Sequence, residues 1–131
     1  MSVRAAALCL LAFSIAAASV VAGGSTWVLL GERTVTDRLD HDTIAVTADR
    51  GEFSAIKVMV KQHAVDFHRF VVTYGNGDTQ VIEVRRTIPA GGETRTVDFA
   101  GNRRVIKRID FWYDAHTLGG KRALVRAVGQ R

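Results

Sequence analysis

Apolar residues in this chain return at every second position, and that rhythm restricts the fold more than any other feature. Within 53–61, Ile56, Val58 and Val60 fall on one side of an extended chain, with Lys57 and Lys61 on the other. A helix would carry Val58 well round from Ile56 and Val60, so the period of two selects a strand with one buried face. Residues 43–49 repeat the pattern, setting Ile44, Val46 and Ala48 against Thr43, Ala45, Thr47 and Asp49. Val, Ile and Thr make up 31 of the 109 residues that follow Ala22. Their branched side chains lose χ1 freedom in helices but pack well on a pleated surface.

The sharpest local signal lies in 67–84, where Asn76-Gly77 separates two β-rich runs. Asn-Gly suits a two-residue hairpin loop, whose central residues need positive φ. Such a loop predicts that Tyr74 pairs with Thr79 and Val72 with Val81. Further strands are expected at 27–34, 94–99, 104–113 and 121–128, with breaks at Gly91-Gly92, Gly101-Asn102 and Gly119-Gly120. Pro89, the only proline, lacks an N–H for a ladder and belongs in a connection or at an edge.

In 104–113, strict alternation puts Val105, Ile109, Phe111 and Tyr113 on one face with Lys107. Arg104, Arg108 and Asp110 then lie opposite with Ile106 and Trp112. About eight strands with no helix to cover them must bury one sheet against another. The predicted class is all-β: a two-sheet antiparallel β-sandwich, Greek-key or jelly-roll-like in connectivity. The expected core includes Leu29, Ile44, Val46, Ile56, Val58, Val72, Val81, Ile109, Phe111 and Val125.

Ahead of this material stands a different segment. Met1–Arg4 is short and basic, and 16 of the 18 residues in Ala5–Ala22 are apolar, with small residues at the exit. That is the pattern of a secretory signal helix, cleaved after Ala22, with Ala18 as the alternative. The run is marginal for a spanning helix, which needs roughly 20 apolar residues, so no stable transmembrane anchor is expected. The reading divides the chain into a signal peptide at 1–22 and one domain at 23–131, periplasmic or secreted. Cys9 is the only cysteine. Once the leader is removed, the domain has no disulfide, no thiolate ligand and no cysteine nucleophile, and its apolar core must hold it together.

Few residues point to chemistry. Asp37, Asp40, His41 and Asp42 crowd one predicted turn. Hard cations take such oxygens, which makes Asp37, Asp40 and Asp42 the one metal candidate, although aspartates also cap turns through their own side chains. The spacing is not that of an EF-hand. The four histidines show no H-x-H or H-E-x-x-H spacing, and neither Ser25 nor Ser54 sits in a G-x-S-x-G turn. No cofactor is expected, and an enzyme is not.

Charge is distributed unevenly. Residues 23–82 hold six Lys/Arg and eight Asp/Glu, whereas 83–131 hold eleven and five. Arg85-Arg86, Arg103-Arg104, Lys107-Arg108 and Lys121-Arg122 supply most of the excess. The candidate ligand-binding residues are therefore Arg85, Arg86, Arg104, Arg108 and Trp112, with Arg104 and Arg108 expected beside the indole. The alternative is a solvated outer face on which these cations interleave with Glu83 and Asp110. Nucleic acid is not an expected partner: no binding motif is present, and export separates the protein from it.

The stretch 29–113 carries a whole-domain pattern. It comprises Leu29-Leu30-Gly31, Asp40-His41-Asp42 with Ile44 and Val46, and Gly51 with Phe53-Ser54 and Ile56. It continues through Val72-Thr73-Tyr74-Gly75-Asn76-Gly77 and Ile88-Pro89-Ala90-Gly91-Gly92-Glu93-Thr94-Arg95 to Arg103-Arg104-Val105-Ile106, Ile109, Phe111 and Tyr113. This pattern resembles the YaaI-like type, a family of small exported bacterial proteins of unknown function. The resemblance implies a secreted or periplasmic β-sandwich and supplies no activity, ligand or catalytic residue. A disulfide present in some relatives does not carry over, because the mature segment has no cysteine.

The expectation is thus an exported, non-enzymatic module that binds an anionic envelope component through its basic C-terminal half. Lipopolysaccharide, an anionic glycan and phospholipid headgroups all have the required charge. The alternatives are a protein-interaction or structural envelope module, using an edge strand or an apolar patch near Trp112, and a small hydrolase built on 37–42.

Overall fold

A computed structural model describes residues 26–131; the expected signal helix and its cleavage site lie outside the described residues. Nine strands are formed there: β1 (Trp27–Val35), β2 (His41–Ala45), β3 (Glu52–Phe53), β4 (Ala55–Lys61), β5 (Val65–Tyr74), β6 (Thr79–Ile88), β7 (Val97–Asp98), β8 (Arg104–Tyr113) and β9 (Ala123–Gln130). Two short 3-10 turns, Ala48–Arg50 and Ala115–Leu118, are the only helical elements among the described residues. One antiparallel sheet has the order β1-β9-β4-β7. The other has the order β2-β8-β5-β6, with β3 continuing beyond β2 along the same edge of β8. The fold is the all-β, two-sheet antiparallel sandwich that the alternation predicted.

Apolar faces of the two sheets meet in a single core. Ile44, Val46, Ile56, Val58, Val72, Ile109, Phe111 and Val125 are buried there as expected, together with Phe53, Phe67, Tyr74, Ile106 and Tyr113. Gly129 lets β9 approach Phe53 closely, because a Cβ at this position would stand 2.8 Å from the Phe53 ring. Between β6 and β7 the chain runs irregularly along the free edge of β4. Thr94 substitutes for a ladder there: its N–H donates to Val58 O at 2.9 Å, and its buried hydroxyl accepts from Val58 N at 3.0 Å.

Five expectations fail, one at the hairpin turn, two at bulges in the ladders and two at strand boundaries. The 75–77 loop has three residues, closed by Gly77 N to Tyr74 O at 2.9 Å and Tyr74 N to Asp78 O at 2.8 Å, with Gly77 at φ +94°. The observed pairs are Thr73 with Thr79 and Val72 with Gln80, one residue away from the predicted register. A slip of one exchanges the faces of a strand, so Ile82 is buried and Val81 is 57 % exposed. In β1, Leu30 is an extra residue between partners of Ala127 and Val128, which turns Leu30 inward and leaves Leu29 44 % exposed. In β8, Lys107 is extra relative to Thr73-Tyr74 of β5, which puts Ile106 in the core. The predicted strand at 43–49 ends at Ala45, and 53–61 divides into β3 and β4, which belong to different sheets.

Candidate functional site

The outer face of the five-stranded sheet carries its side chains in cross-strand rows. The first runs from His41 on β2 through Trp112 on β8 and Arg69 on β5 to Glu83 on β6. The next contains Thr43, Asp110, Val71 and Val81. Because β2 and β5 flank β8, the Trp112 indole stands between two partners. His41 stacks against it with centroids 4.4 Å apart and planes 17° from parallel, and the Arg69 guanidinium lies 4.1 Å from its ring centre. Asp110 fixes the far side of this arrangement. It accepts from Thr43 Oγ1 at 2.6 Å, contacts His41 Nε2 at 3.2 Å, and its second oxygen lies 3.4 Å from Arg108 Nε.

Beyond Arg69 the sheet fans open. Successive paired positions are one residue apart on β8 (Tyr113 to Trp112) and two apart on β5 (Phe67 to Arg69). They are three apart on β6 (Arg86 to Glu83). Each added residue is a bulge, which bends its strand and re-aims a side chain. Arg85 occupies the widest part in the left-handed region, at φ +48°. A non-glycine residue there is strained and persists only where its surroundings impose it. The result is a depression of about 340 Å³ lined by Asp66, Phe67, His68, Arg69, Glu83 and Arg85. Glu83 and Arg85 form an exposed ion pair at 2.9 Å. Among the described residues, Arg69 has no carboxylate within ion-pair distance.

Of the sequence-predicted ligand residues, Arg85, Arg108 and Trp112 share this face, and Arg85 lines the depression. Arg86 is exposed but lies opposite the core residue Phe67 in the register. Arg104 is elsewhere, because the Lys107 bulge removes it from the face of Arg108 and Trp112. Its guanidinium lies 3.8 Å from the Tyr74 ring centre and donates to Ala100 O at 2.8 Å and Asn76 Oδ1 at 3.3 Å. A second depression of about 560 Å³ beside it, between Glu52 and Arg103, offers no free guanidinium from Arg104.

The acidic loop does not assemble. Asp42 accepts from Arg33 Nε at 3.0 Å and from Thr43 N at 2.9 Å. Asp40 contributes its backbone carbonyl to Tyr113 N at 3.0 Å. Among the described residues no three His, Cys, Asp or Glu side chains converge as a cation site, so Asp37, Asp40 and Asp42 are not gathered. Tyr113 lies under this loop, and burial, with Asp42 and Asp40 adding to it, pushes its hydroxyl up to about 12.

The charge division along the sequence also dissolves in space. β7 and β9 join one sheet while β6 and β8 join the other, each interleaved with strands from the N-terminal half. Arg69, His68, Glu83 and His41, which build the site around Arg85 and Trp112, were not singled out for it from sequence. Only the cross-strand register brings them together. Among the described residues no helix is long and apolar enough to cross a membrane.

No curated protein and no solved structure matches the chain. A family model does, over residues 6–129, and the chain belongs to that family, described as a domain of unknown function (DUF2541).

Proposed function

We propose that this protein is an exported, non-catalytic β-sandwich module of the bacterial envelope, of the YaaI-like type, that binds an anionic envelope component. The ligand site is the fanned edge of the five-stranded sheet rather than the C-terminal half as a whole. The observation that carries this reading is Arg69: packed on Trp112 at 4.1 Å, it keeps its charge without an ion-pair partner among the described residues. A guanidinium immobilised before binding loses little entropy when it receives an anion. An open sheet face favours recognition over catalysis, and the Ala5–Ala22 run supports export.

The test is binding of purified lipopolysaccharide and of isolated anionic envelope polysaccharide to the purified protein. Binding should weaken as salt shortens the screening length. It should be lost in the double variant Arg69→Glu with Arg85→Glu. Binding that survives both the salt and the double variant overturns the reading.

One observation favours a second reading, a protein-interaction module. β1 is an edge strand with Leu29 44 % exposed, and an added strand from a partner would find an apolar contact there once the Arg50 guanidinium, which donates to Leu29 O at 2.5 Å, gives way. Loss of an envelope partner on Leu29→Glu, with retention in the Arg69 and Arg85 variants, would decide for it.

A further inference from the structure

The depression at the β5–β6 bulge is not uniformly basic, and its mixed lining narrows the ligand. Arg69 and Arg85 reach it from one row and from the bulge, while Glu83 and Asp66 stand in the same lining. A surface that only attracted negative charge would gain nothing from two carboxylates beside its cations. A saccharide makes use of both. Guanidinium groups receive a carboxylate in bidentate geometry, and protein carboxylates accept from sugar hydroxyls. The volume of about 340 Å³ is at the lower end for small-ligand pockets, roughly 300–1,000 Å³, and suits sugar rings rather than acyl chains.

We infer that this depression binds a carboxylate-bearing sugar unit of an envelope glycan: Arg69 and Arg85 receive the carboxylate, and Glu83 and Asp66 accept from its hydroxyls. The inference rests on the reading of this face as an anion site and specifies the ligand class. His41 and Trp112 act at one remove, as positioning residues that hold the Arg69 guanidinium. In the free protein Glu83 occupies Arg85 at 2.9 Å. That pair is exposed and weak, so a ligand carboxylate can displace it at small cost.

Glu83 separates the alternatives, because the two give opposite signs. Trigalacturonate, neutral galactan oligomers and phosphatidylglycerol vesicles would each be titrated into the purified protein by calorimetry. The variants are Arg69→Gln and Glu83→Ala, each checked for an unchanged melting temperature. Trigalacturonate should bind at least about tenfold more tightly than the neutral oligomer, and Arg69→Gln should remove about that factor. Glu83→Ala should weaken trigalacturonate binding several-fold, although it removes a negative charge and frees Arg85. Tighter binding in Glu83→Ala would mean plain charge attraction, which keeps the anion reading and overturns the sugar assignment. Binding of the vesicles in place of the saccharide would overturn it in the same way. Binding of none of the three probes would overturn the sugar assignment, and absence of lipopolysaccharide binding as well would overturn the anion reading.

Discussion

Arg104 covers the ring of Tyr74 at 3.8 Å, at the other end of β8 from Trp112. The pair fastens the 75–78 hairpin turn to the 100–104 loop, because the same guanidinium also holds Ala100 O and Asn76 Oδ1. Tyr74 completes the connection by donating its hydroxyl to Gln80, which in turn accepts from Ala100 N at 3.0 Å. Burial raises the Tyr74 hydroxyl above its ordinary value, and the Arg104 charge pulls part of that back.

Arg104→Ala should therefore act on stability and not on ligand binding. Loss of the stacking and of the two hydrogen bonds should cost about 1–3 kcal/mol in denaturant unfolding. The contact with Asp78 at 3.7 Å involves an exposed carboxylate and adds little. A variant of normal stability that no longer binds an anionic glycan would contradict this division of roles.

Two glycine substitutions should differ in kind. Gly77→Ala meets nothing within 4 Å, so only its φ of +94° opposes the change, at about 1–2 kcal/mol. Gly129→Ala places a Cβ 2.8 Å from the Phe53 ring, so β9 or the buried ring must move, at about 1–3 kcal/mol. The near-ultraviolet circular dichroism should change only in Gly129→Ala, since only that variant disturbs an aromatic ring in the core.

Tyr113 sets an alkaline limit. Its hydroxyl is raised from the ordinary 10.0 to about 12, mainly by burial and then by Asp42 and Asp40. The folded state holds this proton more tightly than the unfolded state does. Its contribution to stability is complete below about pH 10 and is lost as pH rises towards 12. A spectrophotometric titration should show tyrosine ionising late, together with unfolding. Asp42→Asn should bring the ionisation to lower pH.

The proposed export makes a covalent prediction. Protein recovered from the periplasm or medium of expressing cells should begin at Gly23 by N-terminal sequencing. Recovery of the chain from the cytosol with Met1 intact would contradict the signal-peptide reading.

The two-layer architecture was legible because burial on one face of a strand writes a period of two into the sequence, as at Ile56, Val58 and Val60. The bulges were not. Asn-Gly serves a three-residue loop with Gly77 in the left-handed region as readily as a two-residue loop, and the difference moves Val81 from core to solvent. Lys107 and Leu30 are extra residues only relative to the strands beside them, so nothing local marks them. For that reason Arg104 and Arg108, on one face by simple alternation, separate in the fold, and Leu29 turns out instead of in.

The candidate site was legible in part. Arg85 and Trp112 stood out by charge and by size. Arg69 lies 16 residues from Arg85 and 43 from Trp112 in the chain, and it joins them only through the pairs Arg69–Trp112 and Arg69–Glu83. The basic excess of 83–131 misled for a related reason: a sandwich interleaves distant strands and distributes a sequence block over both sheets.

The most direct test of the central claim is a map of amide and indole chemical shifts while trigalacturonate is added to the isotopically labelled protein. Saturable shifts confined to 66–69, 83–86 and the Trp112 indole, absent in Arg69→Gln, are the expected result. Shifts that centre on 100–108, or that spread over every exposed basic residue without saturating, would contradict it.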